Sequence, residues 1–335
     1  MSHRRFHWLE KVQVELAALG ALAAVYFLVT PLLRPWDPAG PITYLPYGEG
    51  ASLLGVALTV WVLAFVSGIV TASSRPEGAL LVTLVGTGGF SLASPQMRNL
   101  LWSRGDSFSP VFLDMALELL VLSLVLLGAG ILISLARRFV AGLSPRWMWV
   151  DPLVGAAPPD TAQQPSSRAI PGILGLIFME PAWRTGTLTG RDMTPARLVT
   201  TCLACLGMTL VLSATLIVIL MQSPERGQVL FALFASCTVS ALVAHQVTPA
   251  PFAIATWLAP VMIGVFFYCL AAVSAVAVDI DAWAGVTLYA RTVPLDWLSA
   301  GCGGAVLGFW ISERVHELRF FEKQEEQLEK EGKEA

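Results

Sequence analysis

The stretch that decides the fold is FSPVFLDMALELLVLSLVLLGAGILISLARR, residues 108–138. It opens at Ser109-Pro110, continues as a long apolar run and ends at Arg137-Arg138. At about 1.5 Å of rise per residue, a helix of this length crosses a hydrocarbon core about 30 Å thick. The sequence therefore predicts a membrane-spanning helix here.

Two carboxylates, Asp114 and Glu118, lie four residues apart and so on one face of this helix. A carboxylate inside hydrocarbon is costly, which makes it a functional hypothesis by default. We predict an ion, proton or substrate site from these two residues together with Asp296, which opens the last apolar stretch. The alternative is that Asp114 lies at the membrane interface, as a cap or a partner of Arg98 or Arg104, and that only Glu118 is truly inside.

The composition of the whole chain agrees with a membrane protein. Hydrophobic residues make up 55% of it, charged residues 13%, and the mean hydropathy is +0.67. A soluble domain carries about a quarter of its residues as charges. The basic residues form no stripe, so nucleic acid is not expected as a partner. The expected partners are the lipid bilayer and other membrane protein subunits.

Apolar runs of spanning length recur along the chain and predict an all-α polytopic protein of about eight transmembrane helices. The third run is short and is weakened by Gly86, Gly88 and Gly89. The eight predicted spans are 12–33, 51–72, 79–93, 108–138, 196–221, 228–247, 251–278 and 295–312.

The spans fall into two sets, and this predicts four regions. Residues 1–138 form a first four-helix set and 195–312 a second, joined by a Pro-rich cytoplasmic linker, 139–194, that contains an interfacial segment. Residues 313–335 form a charged, helical cytoplasmic tail. The similar layout of the two sets suggests a parallel four-plus-four repeat, although hydropathy alone often makes helix spacings coincide.

Basic residues indicate the orientation. With the amino terminus inside, sixteen of the 21 lysines and arginines fall in cytoplasmic segments and five in outer loops. The positive-inside rule therefore places both termini in the cytoplasm, and we expect a cytoplasmic membrane such as the bacterial inner membrane.

The sequence favours no catalytic chemistry and no bound cofactor. It contains four histidines, of which His245 alone is close to a predicted span, so paired haem ligands and a zinc set are missing. Cys202 and Cys205 form a CxxC that, with Met208, could be a redox pair or a soft-metal site, but their apolar surroundings favour packing. We expect neither an enzyme nor a metal protein.

Two further groups of residues are predicted to make contacts. Small residues let helices approach closely, and within-protein packing is favoured over self-dimerisation for Gly301, Gly304 and Gly308. Interfacial aromatic residues and an apolar stripe on the tail predict partner or membrane contacts. These residues are Trp147, Trp149, Phe178, Trp183, Val315, Leu318 and Phe321.

Two functions remain open on these grounds. The first is a non-catalytic structural or accessory subunit of a membrane complex, because the predicted spans contain few polar residues. The alternative is a secondary transporter or permease subunit that uses Glu118 as an intramembrane carboxylate.

Overall fold

The computed structural model describes residues 7–37, 39–97, 100, 109–143, 195–274 and 286–334, and all regular structure within them is helical. Two of the eight long helices, α1 and α8, each contain one π-helical turn, at Val25–Val29 and Trp297–Gly301. The helices are α1 (residues 7–33), α2 (Gly50–Val70), α3 (Pro76–Ala93), α4 (Ser109–Leu143), α5 (Pro195–Leu220), α6 (Arg226–Val247), α7 (Ile254–Ser274) and α8 (residues 294–334).

Six of these helices, α1, α2 and α4 to α7, are long and apolar enough to cross a membrane. The prediction of an all-helical membrane protein is therefore confirmed. Helices α3 and α8 are not among the six candidate spans. The count of eight spans stays a prediction.

Helices α3 and α8 differ from the others because they lie inside the bundle. Almost every residue of α3 is buried, and so are most residues of α8 up to Glu313. α3 packs on α1, α2 and α8, and α8 packs on α6 and α7 as well. A helix surrounded by other helices touches little lipid, so it can contain many small and polar residues.

Glycines set the closest helix contacts. On α8, a Cβ at Gly304 would lie 2.4 Å from the Phe234 carbonyl oxygen of α6, and one at Gly308 would lie 2.2 Å from that of Thr238. On α3, a Cβ at Gly89 would lie 2.7 Å from the backbone nitrogen of Tyr26 in α1. The glycines of α3, which make it a weak helix when judged from the sequence, thus form its contact with α1.

The two sets of helices pack in similar ways. In the first set α1 packs on α3 and α2 on α4, and in the second α5 packs on α7 and α6 on α8. Helix α5 also packs closely on α6, whereas α1 makes few contacts with α2. The internal repeat stays a prediction. The packing of alternate helices fits it, whereas the difference between the α5–α6 contact and the α1–α2 contact does not.

Both ends of the described chain leave the bundle on the same side. Near the start of α1, the Gln13 side chain donates a hydrogen bond to the Val70 carbonyl at the end of α2. Arg75, just before α3, forms an ion pair with Glu313 of α8. We call this side the termini end, and the opposite side, with the 34–49 loop and Asp296, the loop end.

Beyond the bundle, α8 continues as a helix to residue 334, as predicted for the tail. Leu318 is exposed and Val315 is half-buried. Helix α4 continues five residues past its predicted end, to Leu143. Outside the described residues lie Trp147, Trp149, Phe178, Trp183, Arg98 and Arg104, nearly all of the predicted linker and the side chain of Phe321.

Candidate functional site at the loop end

Glu118 lies nine residues into α4, is fully buried, and binds the loop that joins α1 to α2. Its Oε2 atom accepts hydrogen bonds from the Thr43 hydroxyl at 2.8 Å and from the backbone N–H groups of Tyr44 at 2.8 Å and Leu45 at 2.9 Å. A carboxylate that accepts backbone N–H groups in this way anchors the loop to the helix.

The 34–49 loop reaches Glu118 because it dips into the bundle. Ile42, Thr43 and Tyr44 are all fully buried, and the Ile42 N–H donates to the Ser94 hydroxyl at 2.9 Å. Non-helical backbone at this depth needs partners from the protein because lipid offers none. Glu118 and Ser94 supply those partners, and a turn at Gly48, with φ of 77°, then leads the chain into α2.

Asp296 forms the second polar element of the loop end, at the first turn of α8. Its two carboxylate oxygens accept from the Arg226 guanidinium of α6 at 2.6 and 2.7 Å, and Oδ2 also accepts from the Val293 N–H at 2.9 Å. Arg226 donates in addition to the Ser91 carbonyl of α3. This ion pair therefore ties α3, α6 and α8 together.

Tyr268 of α7 forms its hydrogen bonds in the same region as the two carboxylates. Its hydroxyl donates to the Thr292 carbonyl at 2.9 Å, and the Trp297 indole N–H donates to the Thr292 hydroxyl at 2.7 Å. Tyr268 lies within electrostatic range of both Glu118 and Asp296. The two predicted site residues thus belong to one buried polar region formed by α4, α7 and α8.

The third predicted site residue, Asp114, lies one turn from Glu118 towards the start of α4. It is half-buried, and its charge acts on Glu118. Gln96, on the same side of the bundle, donates to Glu225 at 3.4 Å. The structure thus places Asp114, Glu118 and Asp296 at one end and gives Glu118 and Asp296 different tasks.

Several buried polar atoms of this region have no hydrogen-bond partner among the described residues, and two of them belong to the residues that join the loop to α4. These two are Oε1 of Glu118 and the hydroxyl of Tyr44. Burial raises the pKa of Tyr44, and the carboxylates of Glu118 and Glu49 raise it further, so its hydroxyl keeps its proton. The Tyr44 hydroxyl of the loop can thus donate one more hydrogen bond, and Oε1 of Glu118 in α4 can accept one.

The termini end holds polar residues that sequence reasoning counted only as orientation signals. Arg75 and Glu313 pair there with only 3% of each side chain exposed. Buried Arg137 of α4 donates to the Thr71 carbonyl at the end of α2, at 3.2 Å. In the sequence, each of these residues is a charge at the edge of an apolar run. A residue exposed to water has the same pattern, so the sequence does not predict the pairing.

His245, near the end of α6, also takes part in an internal network. Its two ring nitrogens lie 2.8 Å from the Ser312 hydroxyl and 2.9 Å from the Ala250 carbonyl. Because a carbonyl can only accept, the nitrogen near Ala250 carries the proton and, in the neutral ring, the other accepts from Ser312. This arrangement holds α6, α8 and the loop after α6 together.

The other predicted residues take part in packing. Gly301 adds to the glycine contacts of α8, since a Cβ there would lie 2.9 Å from Cβ of Pro260. Cys202 and Cys205 are free thiols that pack with Ala244, Ala250 and Ala255. In the described part of the chain, His, Cys, Asp and Glu side chains form no group of three or more that could hold a metal ion.

Comparison with known proteins adds nothing to this geometry: no family model, curated protein or solved structure matches the chain.

Proposed function

We propose that this membrane protein is a non-catalytic structural or accessory subunit of a membrane complex. The observation that carries the proposal is the internal use of the buried charges. Asp296 binds Arg226, Glu313 binds Arg75, and Glu118 binds the backbone of the 34–49 loop. Charged groups inside a membrane protein usually pair with one another or with the backbone, and here that pairing holds the bundle together, as a structural subunit requires.

The surface of the bundle supports the same proposal. Many large apolar side chains of α1, α2, α5 and α7 are exposed, including Phe27, Phe65 and Phe266. With both termini in the cytoplasm, as the basic residues indicate, α8 would extend into water beyond Glu313. Leu318, 63% exposed, would then be available to a partner subunit.

The test is purification from the native membrane in a mild detergent, followed by measurement of the mass and composition of the particle. We expect a larger assembly with a partner in fixed stoichiometry. Deletion of residues 320–335 should release that partner, and Leu318→Lys should reduce its recovery several-fold. Leu143→Lys is the matched control, because Leu143 is an exposed leucine at the end of α4, outside the tail, and receives the same substitution.

One outcome would contradict the subunit proposal, and a second would contradict only the role of the tail. One is a wild-type particle with the mass of a single chain plus detergent. The other is a particle whose partner stays bound, at unchanged stoichiometry, in the truncated chain and in Leu318→Lys alike, which would remove the tail from the interface.

One observation favours a second candidate, a secondary transporter or permease subunit that uses Glu118. Oε1 of this buried carboxylate has no partner among the described residues, and Pro260 interrupts the hydrogen bonding of α7 close to Gly301 of α8. Glu118→Gln should then abolish the transport that the wild-type protein shows in vesicles. Full activity in this variant would exclude the second candidate.

A further inference from the structure

We propose that Glu118 is a proton-binding site: its Oε1 atom takes up a proton from the loop end while Oε2 continues to hold the 34–49 loop. The proposal deepens the transporter candidate. It does not depend on the subunit role, since a scaffold can also contain a titrating carboxyl group.

The geometry of the three hydrogen bonds carries the inference. All three donors, the Thr43 hydroxyl and the N–H groups of Tyr44 and Leu45, point at the same oxygen, Oε2. In a protonated carboxyl group one oxygen carries the hydrogen and the other keeps its capacity to accept. A proton can therefore settle on Oε1 without breaking any contact with the loop.

The surroundings of Oε1 supply the second observation. Glu118 is fully buried, and Oε1 has no hydrogen-bond partner among the described residues. An ionised oxygen without a partner is costly at membrane depth, and a bound proton removes that cost. The Tyr44 hydroxyl, also buried and without a partner in the described chain, is a further polar atom on the residue that Glu118 binds.

Among the residues that the structure describes, the titratable groups that act on Glu118 do not neutralise it. On its own helix the neighbour is Asp114, a second acid. The loop contributes Tyr44, with Glu49 beyond it, and α7 contributes Tyr268. Asp296 of α8 acts on Tyr268 from the far side, and its charge is matched by that of Arg226.

A proton fits this site better than a metal cation. Hard cations such as Ca²⁺ and Mg²⁺ take six or more oxygen ligands. At this site, the oxygens without a hydrogen-bond partner among the described residues are Oε1 of Glu118 and the Tyr44 hydroxyl. The described part of the chain also holds no group of three or more metal-ligating side chains.

The test is infrared difference spectroscopy of the purified chain in lipid nanodiscs, titrated between acid and alkaline pH. We expect the C=O stretch of a buried, protonated carboxylic acid at low pH, its loss as the pH rises, and its absence in Glu118→Gln. Asp114→Asn should keep the band. Tyr44→Phe removes a single hydroxyl from the site and should keep the band but shift its frequency, which tests the assignment even if Glu118→Gln folds poorly.

Three outcomes would overturn the proposal. They are a band that persists in well-folded Glu118→Gln, the absence of any such band across the titration, and a band that sodium at constant pH abolishes. None of them bears on the particle mass and composition that test the subunit role, so the two proposals can fail separately.

Discussion

The two ends of the bundle hold the backbone with different charges, although at the loop end Arg226 also donates to the Ser91 carbonyl. At the loop end, carboxylates accept backbone N–H groups, from Tyr44 and Leu45 to Glu118 and from Val293 to Asp296. At the termini end, a guanidinium donates to a backbone carbonyl, from Arg137 to Thr71. At each end, charged side chains thus bind backbone groups that have no partner within a helix. These are N–H groups in the 34–49 loop and at the start of α8, and a C=O group at the end of α2.

Arginines at the termini end hold four helices in place, since Arg137 joins α4 to α2 and Arg75 joins α3 to α8. This is also the end predicted to face the cytoplasm, because that prediction rests on basic residues. Asp296 and Glu313 lie 17 positions apart on α8, or about 26 Å at 1.5 Å per residue. The two ion pairs therefore bracket nearly the whole hydrocarbon thickness.

The largest expected effect comes from the termini end. Glu313→Ala removes the carboxylate of an ion pair in which both side chains are 97% buried, and breaking such a pair typically costs about 3–5 kcal/mol. The free energy of unfolding, measured by SDS titration in mixed micelles, should fall by about this amount.

The control removes both charges at once. Arg75→Leu combined with Glu313→Leu removes both charges of the pair, so neither partner is left buried without the other and most of the lost stability should return. A double variant as unstable as Glu313→Ala would show that the pair does not hold the termini end and would break the comparison.

The middle of α8 should give the next effect, because close packing rather than charge holds it. Gly308→Ala places a methyl group 2.2 Å from the Thr238 carbonyl oxygen and must push α6 away, at a cost of about 1–3 kcal/mol. Gly303→Ala, whose Cβ meets Cβ of Leu84 at an ordinary 3.6 Å, is the control. Equal stability of the two variants in the same SDS titration would show that the close contact at Gly308 does not stabilise the packing of α8 on α6.

Much of the fold follows from the sequence because hydropathy and proline positions report directly on helices in a bilayer. The apolar run at 108–138 and its basic end give α4 almost as it is. Length and hydropathy do not identify α3 and α8 as candidate spans. A helix that its neighbours shield from lipid does not need to be strongly apolar. The π-turns at Val25–Val29 and Trp297–Gly301 have no such signal.

The candidate site is predictable only in part. A carboxylate inside an apolar run singles out Glu118, and Asp296 is singled out because it opens the last apolar stretch. Their partners depend on chain segments far away, since Thr43 is 75 positions from Glu118 and Arg226 is 70 positions from Asp296. Spacing along one helix cannot report such contacts, so the loop anchor became visible only in three dimensions.

At the loop end, Asp296→Asn should have a smaller effect than the loss of Glu313. The side chain of Arg226 is 19% exposed and still donates to the Ser91 carbonyl, so water and backbone compensate it in part. The amide keeps an oxygen that accepts from the Val293 N–H, and we expect a loss of about 1–2 kcal/mol.

Asp114→Asn is the matched control for this variant, because Asp114 is a half-buried acid on the neighbouring helix. Its effect on the same SDS titration should stay within about 0.5 kcal/mol, as for most partly exposed positions. If Asp296→Asn proved more damaging than Glu313→Ala, the ranking of the two ends would be reversed.

Apart from the control Asp114→Asn, the smallest effect on stability should come from Glu118→Gln, which tests the loop anchor. The amide oxygen can replace Oε2 as the acceptor for Thr43, Tyr44 and Leu45, so the loss should stay below about 1 kcal/mol. Glu118→Ala removes the acceptor altogether and should increase the hydrogen exchange of the Tyr44 and Leu45 amides at least tenfold, whereas Glu118→Gln should leave both protected. Protection of both amides in Glu118→Ala as well would mean that the loop stays in place without Glu118. The carboxylate would then lose its role as anchor, while the ion pair of Asp296 would keep its own.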